Sequence, residues 1–432
     1  MAAWGTGPKR TGPLAGIRVL DLSSVVMGPL ATLILADLGC DVIRVESAGG
    51  DPMRHAGRST APGMGPIFMA LNRNKRSVVL DLKSEAGRAA ALELAAECDV
   101  FFHNIRAEAI ERLGLGLDAV RARRADVVYV HCSGYGSDGP YAGRQAYDDL
   151  IQAASGFADL LPRTLGDGRP RYAPALVADK TAGMHAAYAV MAALFHRERT
   201  GEGQFVEVPM FETFTAWNLI ENLYGQTFDP PLYGAAYTRS VNPRRRPYPT
   251  LDGHIGIVPY SDGQWFEFFA LGGRPELAED PRFKTMAART EHVGELYAEV
   301  EAVAATKTTD AWMTILHEAG IPAMRFHTLD AVVDDEHLVE SGFLHRREHP
   351  AVGPYRAMRH PVMFEKTPAD IAREAPGLGE HTDEIMTAPS VGSAATDQER
   401  SLEADYAEQA EEEARLAELG VKDEHPDAPR DG

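Results

Sequence analysis

The feature that most limits what this chain can fold into is a strict alternation in its first third. Short runs rich in β-branched residues are separated by longer, helix-compatible ones. Ile17–Leu22 reads as a buried strand, Gly28-Pro29 opens a turn into an apolar helix over Leu30–Leu38, Gly39 ends that helix, and Val42–Glu46 is the next strand. The unit recurs as a strand at Val78–Leu82, a helix over Glu85–Cys98 and a strand at Val100–Phe102, then as Ile110–Val120 followed by Val127–Val130. Crossovers of this kind are right-handed and put helices on both faces of the sheet, so the expected class is α/β with a parallel sheet.

After Gln204 the pattern changes. Phe205–Met210 reads as a strand, Phe211–Tyr224 as an aromatic-rich helix or linker, and Asp229-Pro-Pro231 and Asn242–Pro249 punctuate the crossing to new material. A smaller α+β domain is predicted there, with a strand at Gly253–Val258, helices over Gln264–Leu271, Glu291–Ala304 and Thr309–Ala319, and a strand at Gly320–Met324. From Ser390 the composition turns to Glu and Ala, as in a solvated terminal helix or tail.

At 432 residues the chain has room for about two to three domains. Its net charge of −20, from 43 basic and 63 acidic residues, argues against nucleic acid or an anionic membrane as partner. The leading segment carries Lys9 and Arg10 with no apolar run after them, and no uncharged stretch of about 18 residues occurs. Cys40, Cys98 and Cys132 show no paired spacing, as expected of core thiols in a reducing compartment. Together these predict a cytoplasmic protein.

Two motif spellings fail on context. Gly134-Tyr-Gly-Ser-Asp-Gly139 follows a strand but meets Pro140 and Gly143, which oppose the helix that a dinucleotide loop must enter, so a plain glycine loop at the sheet edge is expected. His345-Arg-Arg-Glu-His349 spells H-x-x-E-H, which needs a long helix, yet Gly342 and Pro350 bracket it; no metal site is expected.

The stretch with most chemical content runs from Tyr172 to Gln204. Pro174 and the apolar Ala175–Ala178 precede Asp179, and an alanine-rich helical segment follows, which places Asp179 at a helix N-cap. Taken alone, that is a capping residue worth about 1 kcal/mol. Basic and amide-rich clusters fall between the βα units, at Asn72–Ser77 and at Asn104-Ile-Arg106 with Arg112. In so acidic a chain they point to a phosphate-bearing ligand at the sheet edge, against the plainer reading of solvated loop charge.

With these pieces in order, the chain resembles the family III CoA-transferases, a group that includes formyl-CoA and carnitine CoA-transferases and the α-methylacyl-CoA racemases. The resemblance rests on Leu14–Leu22, Gly50–Arg54, Asn72–Leu82, Glu111–Gly114, Ser133–Gly136 with Gly139–Tyr141, Asp179 with Gly183, Arg199–Gln204, Asp280–Phe283 and Pro376–His381. It implies a large Rossmann-like CoA-binding domain over residues 13–205 after a tail at 1–12, a linker at 206–232, and a small α+β domain at 233–335. Residues 336–389 would return to complete the large domain, with an acidic tail at 390–432. It also implies an interlocked homodimer. Asp179 becomes the catalytic aspartate, Tyr147, Val26 and Gly263 line the active site, and Asn72, Lys75, Asn104, Arg106 and Arg112 contact CoA. No permanent cofactor is implied: coenzyme A and acyl-CoA are substrates, with a free carboxylic acid as second partner.

Two departures bear on substrate. Val26 stands where formyl-CoA transferase has a glutamine, and the small-domain loop Tyr260–Gln264 holds one glycine, Gly263, where the family has several. The alternatives are an α-methylacyl-CoA racemase or epimerase and a non-catalytic CoA-binding protein. The first needs a second base, but Tyr147 stands at that position, and a phenol of pKa about 10 is a poor base at neutral pH.

Overall fold

A computed structural model describes residues 11–386; the acidic segment expected from 390 onward lies outside them, as does most of the leading tail. The large sheet contains β1 (Arg18–Asp21), β2 (Asp41–Glu46), β3 (Lys75–Val79), β4 (Val100–His103), β5 (Val128–Ser133) and β6 (Phe205–Pro209). Its order is β3-β2-β1-β4-β5-β6 and every pairing is parallel. The strand order reverses between β1 and β4, and the crevice above their carboxyl ends is where such sheets bind ligands.

Alternate residues of these strands feed two apolar layers. Val19, Val42, Val100, Phe102 and Val130 pack against α1 (Met27–Asp37) and the long α8 (Val177–Thr200), whose alanines let it approach closely. Between α1 and α8 lie α2 (Pro66–Asn72), α3 (Glu85–Glu97), α4 (Ala107–Arg112), α5 (Leu117–Arg121), α6 (Asp148–Ala154) and α7 (Leu160–Leu165); α9 (Met210–Asn222) follows β6. On the opposite face, Leu20, Ile43, Phe101 and Tyr129 meet α3, α5 and the terminal α16 (Thr382–Ile385).

A separate core lies around Trp312, Phe268, Phe269 and Val300. It is built from an antiparallel sheet of β7 (Tyr248–Pro249), β8 (His254–Ile257) and β9 (Ala323–Arg325), with α10 (Asp262–Leu271), α11 (Met286–Glu291), α12 (Val293–Ala304) and α13 (Thr309–Glu318). The return path carries α14 (Leu329–Val332), α15 (Glu336–Glu340) and a hairpin of β10 (Leu344–His349) and β11 (Gly353–Met358). The H-x-x-E-H spelling therefore falls on strand β10. Among the described residues, no helix is long and apolar enough to cross a membrane.

The segment Asn72–Ser77 departs from expectation. The third strand begins at Lys75, three residues earlier than the apolar run suggests, so this segment stands at the amino end of β3 and its charges are internal. Lys75 Nζ donates to Asn72 Oδ1 (2.9 Å) and the Pro29 carbonyl (2.9 Å) and lies 3.5 Å from Asp21. Arg44 bonds Asn72 and Asp51, Arg54 forks onto Glu46 and lies over the Phe68 ring, and Arg73 forks onto Asp37. Burial lowers the Lys75 pKa to about 7, with Asp21 opposing the shift. Asn74, in the left-handed region at φ 64°, accepts from the backbone N–H groups of Ala372 and Arg373, anchoring the return segment.

Removing one member of a buried pair strands the other charge. Lys75→Met should therefore lower unfolding stability by about 3–5 kcal/mol in denaturant titration. Lys75→Met combined with Asp21→Asn should cost less than the two single changes added.

Candidate functional site

The amino end of α8 has four N–H groups with no helical partner, and its N-cap, Leu176, has no side-chain acceptor to offer. The cap comes from elsewhere in the chain: Asp148 Oδ1 accepts from the N–H groups of Ala178 (2.8 Å) and Asp179 (3.0 Å). Gln152, one turn along α6, holds Asp148 through Nε2 (2.6 Å) and takes the Ala173 N–H on Oε1 (2.8 Å). Asp179 is thus not the N-cap expected from sequence. It is the third residue of the helix, and its carboxylate is spared the capping role.

Opposite stands the turn between β1 and α1. Gly183 lies one helical turn beyond Asp179, and a Cβ there would come within 2.6 Å of the Met27 carbonyl oxygen, so glycine is what lets α8 close on α1. That approach sets the Met27 N–H against the Asp179 carboxylate, favouring its ionised form. Asp179 is 8 % exposed, and burial above all, with the charge of Asp148 second, nevertheless raises its pKa to about 6.

The turn itself is strained. Val25 has φ 71°, where a β-branched side chain costs roughly 1–3 kcal/mol. Two contacts hold it: the Val25 N–H donates to Asp51 Oδ2 (3.1 Å), and Asn104 brackets Ser24, accepting its N–H (3.1 Å) and donating to its carbonyl (2.9 Å). The buried charges beneath therefore serve the turn through Asp51.

The structure gathers some of the expected residues and separates others. Asp179, Val26 and Asn104 lie on or against this one turn, with Val26 buried against Leu33 and Leu71. Tyr147 immediately precedes Asp148 and is 64 % exposed. Arg106 and Arg112 are exposed on and before α4, Arg112 being 3.9 Å from Glu108. Asn72 and Lys75 are enclosed in the charge network, not displayed to a ligand. Gly263 sits in the first turn of α10, within a capping box of Ser261 and Gln264, so the expected loop is a regular helix start.

Sequence reasoning missed Asp148, Gln152, Val25 and the Met27 N–H; the one available signal was the Asp-x-x-x-Gln spacing from Asp148, which puts both on one helix face. The glycine loop after β5 is tied down by Glu212, which accepts the Gly136 N–H (3.0 Å), and no helix starts there. A cavity of about 500 Å³ between α2 and the β10–β11 hairpin, lined by Arg58, Met64, Met69, Tyr355 and Met358, includes none of the residues around Asp179.

The sequence model described as CoA-transferase family III matches residues 14–382. Among relatives, the probable fatty acyl-CoA transferase Rv3272 of Mycobacterium tuberculosis is 34 % identical over 390 residues, covering 87 % of this chain and 98 % of that protein. The succinyl-CoA–D-citramalate CoA-transferase of Chloroflexus aurantiacus is 32 % identical, covering 87 % and 93 %. The orthorhombic crystal structure of Rv3272 superposes with a TM-score of 0.74 at 32 % identity, covering 88 % of this chain and all of that one. A CAIB/BAIF family protein from Brucella suis gives 0.73 at 29 %, covering 87 % and 99 %.

An Asp whose pKa rises from about 3.9 unfolded to about 6 folded destabilises the native state once ionised, by on the order of 3 kcal/mol. The folded state holds the proton longer, so stability is full below about pH 4 and falls as pH rises through 6. Asp179→Asn should therefore melt above the wild type at pH 8, with the gap closing towards pH 4 in thermal scans.

Proposed function

The chain belongs to CoA-transferase family III, and on that footing we propose that it moves CoA from an acyl-CoA thioester to a free carboxylic acid through covalent intermediates on Asp179. The observation that carries this reading is a buried carboxylate released from helix capping and set against a backbone N–H.

An Asp179 oxygen attacks the thioester carbonyl carbon. As the tetrahedral adduct collapses, the C–S bond breaks, leaving an acyl-aspartyl anhydride and CoA thiolate. The thiolate then attacks the aspartyl carbonyl of the anhydride, releasing the donor acid and leaving an aspartyl-CoA thioester. The acceptor carboxylate reverses these two steps, departing as the new acyl-CoA and restoring the Asp179 carboxylate.

This chain's own groups fit those demands. The Met27 N–H supplies positive potential where negative charge gathers. Burial slows attack by water on the anhydride. The exposed guanidiniums of Arg106 and Arg112 would meet the phosphates of CoA. Asn104 would act at the turn, while Asn72 and Lys75 act from beneath through the charge network. Val26 and Met27, both buried, back the turn from the core, and a fatty acyl donor would accord with the relative named as a probable fatty acyl-CoA transferase.

Asp179→Asn and Asp179→Ala should each abolish transfer while preserving fold and CoA affinity, as measured by mass spectrometry of acyl-CoA exchange and by calorimetry. Hydroxylamine should trap the wild-type carboxyl alone. Transfer by an Asp179→Asn sample free of deamidation refutes the mechanism. Wash-in of deuterium at the α-carbon without transfer favours an epimerase instead. Because the nucleophile must be ionised, kcat/KM should rise with pH to a plateau above about 6. Asp148→Asn keeps an oxygen for the α8 cap but removes the neighbouring charge, so its acid limb should move to lower pH.

We also propose an interlocked homodimer. Met184, Tyr188 and Phe195 on α8 and Trp217 and Ile220 on α9 are exposed in the single chain, Ile220 to 80 %, which is more apolar surface than soluble monomers usually leave bare. Light scattering at micromolar concentration should return twice the 47.0 kDa chain mass; active 47.0 kDa monomer overturns the dimer.

A further inference from the structure

A buried histidine pair on the far face of the sheet has no place in this chemistry. His103 ends β4 and His131 lies beside it on β5, in register with each other and with Glu207 on β6. The two rings stack with centroids 4.7 Å apart and planes 15° apart, and Tyr129 meets His103 edge-on. His103 bears on the Ile105 carbonyl, 3.1 Å from its Nδ1, while His131 stacks behind it.

That contact fixes the tautomer. Nδ1 of His103 holds the proton and donates, which leaves Nε2 as a bare acceptor with no partner in a side chain 1 % exposed. An unpartnered buried polar atom is costly, and a leucine of similar volume would avoid it. Burial first, then the neighbouring His131, depresses the His103 pKa to about 3, so the ring stays neutral and donating throughout the working range of pH. What the histidine gives in return is the orientation of the Ile105 peptide. The preceding residue is Asn104, whose amide brackets Ser24 in the strained turn facing Asp179.

We propose that His103 is a positioning residue: by clamping the Ile105 carbonyl, with the His131 ring stacked behind it, it aims the Asn104 amide at Ser24 and so keeps the first turn in its ligand-ready shape. The clamp lies on the side of the sheet away from α8 and touches neither Asp179 nor the capping residues.

The test compares His103→Leu, which removes the donor, with His103→Asn, whose Nδ2 occupies nearly the place of Nδ1. In the ligand-free protein, deuterium exchange at the Ser24 amide should quicken roughly tenfold in the leucine variant, the worth of one hydrogen bond. The KM for acyl-CoA should rise by about the same factor with kcat changed far less, because ligand binding must re-form the turn. Asparagine should restore both. Unchanged Ser24 exchange in His103→Leu, exchange quickened with KM unmoved, or failure of asparagine to restore either, overturns the proposal. If His103→Leu does not fold, His103→Gln, whose amide reaches the place of Nε2 and not that of Nδ1, carries the same expectations. The KM arm rests on the transferase reading, whereas the exchange arm does not: a wild type that transfers no CoA counts against that reading alone.

Discussion

Everything near Asp179 depends on a set of charges sealed between the sheet and its first helix. Arg44, Arg54 and Lys75 face Asp21, Glu46 and Asp51 with almost no access to water. Desolvating so many ions is recovered only when nearly all their hydrogen bonds are made, so the network is intolerant of displacement. Its acidic members reach upward as well: Asp21 takes the Ser23 N–H and Thr32 hydroxyl, and Asp51 takes the Val25 N–H. The turn that faces Asp179 is thus held from below by groups that cannot move without exposing charge.

A turn held this firmly can carry strain. Val25 in the left-handed region and Asp179 ionised in a dry setting are each unfavourable alone, and both sit where α8 meets α1. The distribution follows the trade-off between stability and function: the network beneath is over-determined, while the groups facing the ligand are kept away from their own minima. Asp148 is the hinge of this arrangement. Acting as a cap from another helix, it leaves Asp179 unspent, and its charge raises the very pKa that capping would have lowered.

The parallel sheet and the βαβ alternation were legible because they rest on local periodicity: Val19, Val42, Val100 and Val130 are the residues that alternate in the sequence and the ones that fill the core. Asp179 was visible only as a polar residue at a helix start until resemblance gave it a role. What stayed hidden is tertiary. No local rule lets Asp148 cap a helix 30 residues away, and no hydropathy count reveals that Lys75 is inside when its neighbours Arg73, Asn74 and Arg76 read as loop. The same locality misplaced the start of β3, because a buried charged strand looks polar. Gly263 illustrates the converse: Ser261 and Gln264 spell a capping box, which starts α10 at Asp262, two residues before the expected Gln264.

The closing segment of the described chain bears on how the molecule is made. His381 donates its N–H to the Ser77 carbonyl and accepts the Ser77 N–H on Nδ1, Thr382 takes the Val79 N–H, and Glu384 pairs with Arg76. The outer edge of β3 is therefore covered by residues made some 300 positions later. At translation speeds of roughly 5–20 residues per second, that edge waits tens of seconds for its cover. During synthesis the nascent protein presents an unpaired strand beside half-neutralised buried ions, the kind of surface that recruits chaperones or a neighbouring nascent chain. The edge of β3 is thus completed only once this late segment has been made and has folded back onto it.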